Sequence, residues 1–335
     1  MAGTEATLER LEVRAERLAE EQPLLAPAPK RRMLVIVNPY ATTVSDRLKN
    51  LVVYALESRY EVHAVDTEAR QHATEICRDA AREGYDVVVA FGGDGTVNEA
   101  ANGLIRTDTP LTCLPGGSTN VYCRTLGIPN DVVDATEHLL QLADRFRPRH
   151  VDLGRVNARH FTFASGIGLD ASVVERVDAH PRLKTRLGEW YYTYAAVTTF
   201  SRRYLVQPPR ARLEVGSEGV EGITIIVQNS DPFTYFRRRA IRVCEAVSLD
   251  SGTLSATVLK RGSVVDIPTV MARVFSSKPE VVQRHRQIAG FTGIRGARVV
   301  SADGEPFPLE VDGDHIGDFE EVEYGISRGA LTVVS

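Results

Sequence analysis

Residues Val87 to Leu104, VVVAFGGDGTVNEAANGL, constrain this chain more than any other stretch. Val87 to Ala90 are apolar and mostly β-branched, and read as a buried strand. The chain then enters Phe91-Gly92-Gly93-Asp94-Gly95-Thr96. Behind it Val97, Ala100, Ala101 and Leu104 recur at helical spacing, with Asn98 and Glu99 in the first turn. Three glycines around one carboxylate make a strand-to-helix loop whose backbone can come very close to a ligand. The free N–H groups and positive dipole end of the helix suit phosphate oxygens. An aspartate in such a loop repels phosphate unless a metal lies between them or a proton must be removed. The combination suggests metal-assisted phosphoryl chemistry; the plainer alternative is a tight βα turn with an aspartate cap.

A chain of 335 residues most simply makes two domains with ample core. Its 43% hydrophobic content and net charge of −4 are those of a soluble globular enzyme. No domain is basic enough overall to suggest nucleic acid. Residues 1–32 lack the apolar core of a signal peptide, and no apolar run approaches the roughly 18 residues of a membrane span. Cys77, Cys113, Cys123 and Cys244 show no CxxC spacing. They read as reduced thiols of a cytosolic protein, and a metal site built from them and the scattered histidines is not expected.

Residues 1–22 read as a charged helix with Leu8, Leu11, Ala15 and Leu18 on one face, ended by a proline-rich linker up to Arg32. It reads as a loosely held extension, with a docking or dimerisation helix as the alternative. From Met33 a strand, Met33–Val37, runs into Asn38-Pro39. Helix, strand (Glu61–Val65, ending at Asp66-Thr67) and helix then lead to the opening strand. Leu111–Leu114 is a short buried strand entering Pro115-Gly116-Gly117-Ser118-Thr119-Asn120, with helices expected over 119–126 and 131–145. This cadence predicts a doubly wound α/β domain with a mainly parallel sheet over 33–149. The four polar loops then gather at the carboxyl ends of its strands, as in a nucleotide site.

After about His150 the texture becomes β-rich, and residues 150–317 read as a second, β-sandwich-like domain with a few helices. Strands are expected over 151–156, 159–163, 211–215, 222–229, 254–259, 297–301, 307–311 and 330–334. Ala164 to Asp170 reads as a glycine-broken loop opening a helix, and an aromatic helix is expected over 187–204. The last strands are expected to return to the first domain, which 318–335 would complete.

Asn38-Pro39, Gly92-Gly93-Asp94-Gly95-Thr96 with Asn98-Glu99, Pro115 to Asn120, Val151-Asp152-Leu153-Gly154 and Asp312-Gly313-Asp314 follow one another in an order that resembles the diacylglycerol kinase catalytic-domain family. That family includes soluble bacterial lipid kinases and sphingosine kinases. The likeness covers roughly 33–335. It implies ATP- and Mg²⁺-dependent transfer of phosphate to a lipid hydroxyl in a cleft between the two domains, with diacylglycerol becoming phosphatidic acid and, as the alternative acceptor, a monoacylglycerol, a sphingoid base or a polyprenol. Positioning and charge neutralisation suffice for such a transfer.

The resemblance implies that Gly92, Gly93, Gly95 and Thr96 cradle the triphosphate, with Asn38, Thr67, Glu99, Gly117, Ser118, Thr119, Asn120 and Asp312 on the cofactor side. Asp94 would face the γ-phosphate and hold Mg²⁺ or accept the substrate proton, and Asp152 would complete the acidic network on the metal. Asp314 stands where the family usually has Glu, at a position associated with activating the lipid hydroxyl. A plain hairpin turn is the alternative for Asp312-Gly313-Asp314. Two departures stand out. Val121 follows Asn120 where an acidic residue is frequent, and Ser251 replaces a carboxylate in Ser248 to Leu254, leaving Asp250 as the candidate ligand of a second, structural Mg²⁺.

A lipid acceptor implies peripheral contact with the inner face of the cell membrane, for which the aromatic stretch 187–204 and the loop Asp231 to Arg239 are candidates. A solvated charge run is the alternative for that loop. A homodimer is compatible with the sequence. An NAD kinase would share Gly92–Thr96 but not the Asp152 and Asp314 motifs, and a catalytically silent lipid-binding protein is the third reading.

Overall fold

The computed structural model describes residues 30–168 and 210–335, apart from 237 and 264. The helices expected over 1–22 and 187–204 lie outside the described residues. The chain divides into two compact units, one of Met1–Val151 with Ala330–Ser335 and the other of Asp152–Gly329. The first unit thus takes back a shorter C-terminal piece than 318–335.

The elements of the first unit are β1 (Arg31–Val37), α1 (Asp46–Glu57), β2 (Tyr60–Asp66), α2 (His72–Arg82), β3 (Val87–Gly92), α3 (Asp94–Gly103), β4 (Leu111–Pro115), α4 (Val121–Thr125) and α5 (Val132–Leu142). The strands lie in the order β2-β1-β3-β4, all parallel, and Val333 pairs in parallel with Leu111 beside β4. All of β3 and β4 is buried, so both read as continuous apolar runs rather than alternations. Edge strand β2 is largely exposed, which its polar composition YEVHAVD tolerates. Ser45 caps α1 by accepting the Leu48 N–H at 3.2 Å, and Asp131 caps α5 by accepting the Val133 N–H at 2.9 Å.

Where β3 and β4 end, their glycines meet backbone to backbone. The Gly116 N–H donates to the Gly92 carbonyl at 2.8 Å. A Cβ on Gly116 would lie 2.8 Å from the Gly92 Cα, and one on Gly117 2.8 Å from the Gly93 Cα. A Cβ on Gly92 would lie 2.5 Å from Thr96 Oγ1. These glycines are therefore required by packing before any ligand is considered.

The second unit begins within β5 (Arg149–Val156) and continues through β6 (Arg159–Phe161), β7 (Ala164–Gly168), β8 (Ala211–Val215), β9 (Glu218–Gly222), β10 (Thr224–Gln228), β11 (Thr234–Phe236), β12 (Arg239–Ile241) and β13 (Leu254–Leu259). It closes with α6 (Ile267–Val274), α7 (Pro279–Gln283), β14 (Ile288–Ile294), β15 (Gly296–Ser301), β16 (Phe307–Val311), β17 (Asp314–Phe319) and most of β18 (Glu321–Val333). One sheet runs β14-β13-β10-β7-β16-β17. Against it stand β8, β9, β15 and the start of β18, paired antiparallel. The core lies between, with Ile167, Ile225, Val227, Ala256 and Leu309 facing Leu213, Val299, Val322 and Tyr324.

Three expectations change here. Ala164 to Gly168 is a central strand rather than a loop, because β10 and β16 pair with it on its two sides. The stretch 222–229 is divided at Ile223 between β9 and β10. The loop from Asp231 to Arg239 folds into the β11–β12 hairpin. There Phe233 and Phe236 pack with Ile241, Val243, Cys244 and Phe275, and the Phe236 and Phe275 rings meet edge-on at 5.6 Å. Its two phenylalanines belong to a small core, while Arg238 and Arg239 stay exposed.

The glycine contact makes a testable demand. Gly116→Ala is expected to destabilise the protein by about 1–3 kcal/mol through forced separation of the two loops. A urea unfolding midpoint equal to that of the parent would refute the contact.

Candidate active site

Asn38 stands at the end of β1, and its polar groups serve the loop framework. Its N–H donates to the Phe91 carbonyl at 2.9 Å, its Nδ2 to Thr96 Oγ1 at 3.0 Å, and its Oδ1 accepts the Tyr40 N–H at 3.0 Å. Thr67 follows β2 and donates its N–H to the Val37 carbonyl at 2.8 Å. Asn120 adopts a left-handed φ of 49°. Its Oδ1 accepts the Gly117 N–H at 2.8 Å, and its Nδ2 donates to the Gly117 carbonyl and to Asn130 Oδ1. The second glycine loop is thus folded around Asn120. Between them Ser118 is exposed and Thr119 half-buried, their hydroxyls 3.4 Å apart.

Asn38, Thr96 and the two glycine loops therefore come together as the sequence implies. Gly93 precedes α3, and Gly95 and Thr96 lie in its first turn. Glu99 does not join them. Its Oε1 accepts the Gln71 N–H at 2.8 Å and its carbonyl the Thr74 hydroxyl at 2.8 Å, so it secures the start of α2.

Asp94 opens α3 and reaches across to the next helix. Its two oxygens accept the Val121 N–H at 3.0 Å and the Tyr122 N–H at 3.1 Å, the first donors of α4. A carboxylate at a helix N-terminus is favoured by the dipole and by the otherwise unpaired amides. The absence of an acidic side chain at Val121 is thereby given a structural context, since the backbone of that residue is what Asp94 holds. Below it, burial, Cys113 and the Asp94 charge push the Cys123 thiol well above its ordinary range. All four cysteines are buried and none is in a disulfide.

Two of the predicted site carboxylates of the second unit, Asp152 and Asp312, are buried internal ligands. Asp152 is buried, and its oxygens accept the Gly252 N–H at 2.6 Å and the Gly329 N–H at 2.8 Å. Its own N–H donates to the Leu249 carbonyl at 2.7 Å, so the loop around 248–253 is closed on Asp152. Asp250 in that loop is exposed and accepts the Ser248 hydroxyl at 2.8 Å. Among the described residues no three His, Cys, Asp or Glu side chains gather as a metal cage requires. Asp152 thus closes its own loop through two amides, as Asp94 holds the start of α4 through two.

Asp312 is 1% exposed and accepts four hydrogen bonds. These come from the Thr162 N–H (2.6 Å) and hydroxyl (2.8 Å) and from the Phe163 and Ala164 N–H groups (3.0 and 3.1 Å). Four donors fill the acceptor capacity of a carboxylate, which leaves Asp312 no oxygen to offer a cofactor. Asp312 and Gly313, with φ of 48° and 85°, form the two-residue turn between β16 and β17. Val311 pairs with Asp314 across it. These are the dihedrals of a type I′ hairpin, so the turn reading is correct in geometry, and it delivers a half-buried Asp314 at the start of β17.

The residue that sequence reasoning passed over is Glu310. It is 2% exposed, and its Oε2 accepts the Gly313 N–H at 2.8 Å. Its carbonyl accepts the Ser165 hydroxyl, which also contacts the Tyr324 hydroxyl at 3.0 Å. Burial raises the Tyr324 phenol well above its ordinary range, and the Glu310 charge adds to that shift. A glutamate among the apolar residues of Phe-Pro-Leu-Glu-Val was the available signal.

These roles separate in stability. Asp312→Ala is expected to cost at least about 3 kcal/mol, because four buried donors lose one charged acceptor, whereas Asp250→Asn should fall within about 0.5 kcal/mol. Chemical denaturation followed by circular dichroism measures both; equal midpoints would overturn the assignment of Asp312 as an internal ligand.

Comparison with known proteins agrees with the order of motifs. The diacylglycerol kinase catalytic domain matches residues 32–156. The diacylglycerol kinase of Bacillus subtilis is 32% identical over 169 residues, 48% of this chain and 53% of that protein. A diacylglycerol kinase of Staphylococcus aureus is 32% identical over 169 residues, 49% of this chain and 51% of that protein. The chain spans about half the length of these curated relatives. A crystal structure of a diacylglycerol kinase from Bacillus anthracis superposes with a TM-score of 0.63 at 20% identity, over 92% of this chain and 98% of that one. At that identity the likeness establishes the α/β fold with its β-rich second part. Residues 32–156, the stretch that carries both glycine loops, match the diacylglycerol kinase catalytic domain.

Proposed function

We propose that this protein is a lipid kinase that transfers the γ-phosphate of ATP to a lipid hydroxyl, with diacylglycerol as acceptor and phosphatidic acid as product. The observation that carries this reading is the pair of glycine loops pressed together at the ends of β3 and β4, beside Asp94 and the Ser118 and Thr119 hydroxyls. Backbone without side chains on one wall and hydroxyl donors on the other suit a triphosphate. Gly92, Gly93, Gly95 and Thr96 would take the phosphates, with Gly117, Ser118 and Thr119 opposite.

The donor set fits a Mg²⁺ carried by the nucleotide. Asp94 is the one carboxylate in the two glycine loops, and magnesium commonly combines one or two carboxylates with phosphates and water. Bound there, the ion would supply charge neutralisation on the phosphates. Asp94 would hold it, while the same carboxylate keeps α4 in place. Asp314 would accept the proton of the lipid hydroxyl. The shorter side chain, compared with the family's usual Glu, demands that its turn be held firmly.

No helix among the described residues is long and apolar enough to cross a membrane. Under this reading a lipid acceptor is met at the surface of the cytoplasmic leaflet. Exposed Arg238 and Arg239 on the β11–β12 hairpin would contribute electrostatic attraction to anionic lipid, since the neighbouring phenylalanines are packed inward.

The decisive experiment is transfer from γ-labelled ATP with Mg²⁺ across a panel of lipid alcohols in mixed micelles. Diacylglycerol is expected to be labelled, and Asp94→Asn and Asp314→Asn to lose on the order of a hundredfold in kcat. Label on NAD with every lipid cold would sink the lipid reading, and ATP binding without turnover would favour the silent lipid binder. Ser118→Ala with Thr119→Ala should raise KM for ATP about three- to tenfold and leave the melting temperature unchanged. An unchanged KM would remove these hydroxyls from the nucleotide site.

A further inference from the structure

Asp314 can act on a substrate only if the turn before it is rigid, and most of that turn is unsupported from outside. Gly313 is exposed, and no atom lies within 4 Å of where its Cβ would be. Asp312 is a non-glycine residue at φ 48°, a conformation L-residues adopt at some cost. Both anchors of the turn come from within. Asp312 fastens its base to Thr162, Phe163 and Ala164. Glu310 reaches its tip, where Oε2 accepts the Gly313 N–H at 2.8 Å.

Leu309 and Val311 face the core, and Glu310 points to the other face of the strand, where it is nevertheless only 2% exposed. It pairs with Gly166 on one side and His315 on the other, in the strand next to the β17 edge of the six-stranded sheet. Burying a carboxylate there is costly, and the turn N–H it receives is a short, charge-assisted contact. The cost is understandable if the tip of the turn has to be fixed.

We propose that Glu310 is a positioning residue for phosphate transfer, holding the Asp312-Gly313 turn through the Gly313 N–H so that Asp314 keeps its reactive placement. This inference rests on the reading of Asp314 given above. Glu310 touches neither nucleotide nor lipid in this scheme; it acts through Asp314.

The test is a double-variant cycle in the diacylglycerol transfer assay, with melting temperatures recorded for each protein. Glu310→Ala is expected to lower kcat about thirtyfold with KM for ATP unchanged, as a misplaced reactive group costs rate rather than nucleotide affinity. Glu310→Gln keeps an oxygen for the Gly313 N–H and should stay within about threefold of the parent. Glu310→Asp keeps the charge but retracts it by one methylene, and should lose activity as Glu310→Ala does; it carries the test should the alanine variant not fold. In an Asp314→Asn background, Glu310→Ala should cause no further loss. Parental kcat in both Glu310→Ala and Glu310→Asp overturns the proposal, as do losses that multiply in the double variant. An Asp314→Asn protein with parental activity overturns the reading of Asp314 itself and the present inference with it.

Discussion

The nucleotide end of this protein depends on two loops whose backbones touch. Gly92 and Gly116 share a hydrogen bond of 2.8 Å, and side chains at Gly116 or Gly117 would collide with the opposite Cα atoms. Much else on that edge of the sheet follows from the contact. Asn38 can bridge from β1 to Thr96 because Gly92 leaves room for the Thr96 side chain. Asp94 can reach the amides of Val121 and Tyr122 because the loop before α4 lies close against the one before α3. The glycine pattern is thus a packing device first, and its openness to a ligand is a consequence of that packing.

A second theme is the use of aspartates as internal acceptors for backbone amides. Asp94 holds the start of α4, 27 positions downstream. Asp152 closes on Gly252 and Gly329, 100 and 177 positions away, and Asp312, at the end of β16, takes the amides of Thr162 to Ala164 beside the neighbouring β7. Each joins segments that no local interaction would bring together. A buried carboxylate with backbone donors is stable where an unpaired one would not be. Such residues look in sequence like ligands of a metal, because the signal in both cases is an acidic residue in a tight loop.

This explains what was legible in the sequence and what was not. Strands β1, β3 and β4 are readable because a parallel strand covered on both faces is an unbroken apolar run. The loops after them are readable because glycine and asparagine there have a conformational reason, as the left-handed Asn120 illustrates. Strand β7, Ala-Ser-Gly-Ile-Gly, has almost no pattern of its own; its place comes from β10 and β16 on its flanks. Glu99 and Asp312 were legible as polar residues near a site, but their orientation depends on Gln71 and on Thr162 to Ala164, which no motif connects to them. The second glycine loop shows the limit from the other direction. Its residues are evident in sequence, yet only the fold separates Asn120, which builds the loop, from Ser118 and Thr119, which the loop presents.

The same reasoning bears on the lone glutamate of β16. A strand between two partners in a sheet gains from apolar side chains, and Phe307, Leu309 and Val311 conform to that rule. Glu310 points to the opposite face and is buried there as a carboxylate, at the position from which a side chain can reach the tip of the following turn. Local consistency fails where another requirement outweighs it, and such failures gather at functional or strained positions. Here both conditions coincide, a left-handed aspartate and a buried carboxylate within three residues of each other, immediately before Asp314. Asp312 alone fixes the base of the turn to the sheet and leaves its tip at an exposed glycine, so a second anchor is what a two-residue hairpin of this kind lacks. Glu310 supplies it from the one strand position that points toward the Gly313 amide.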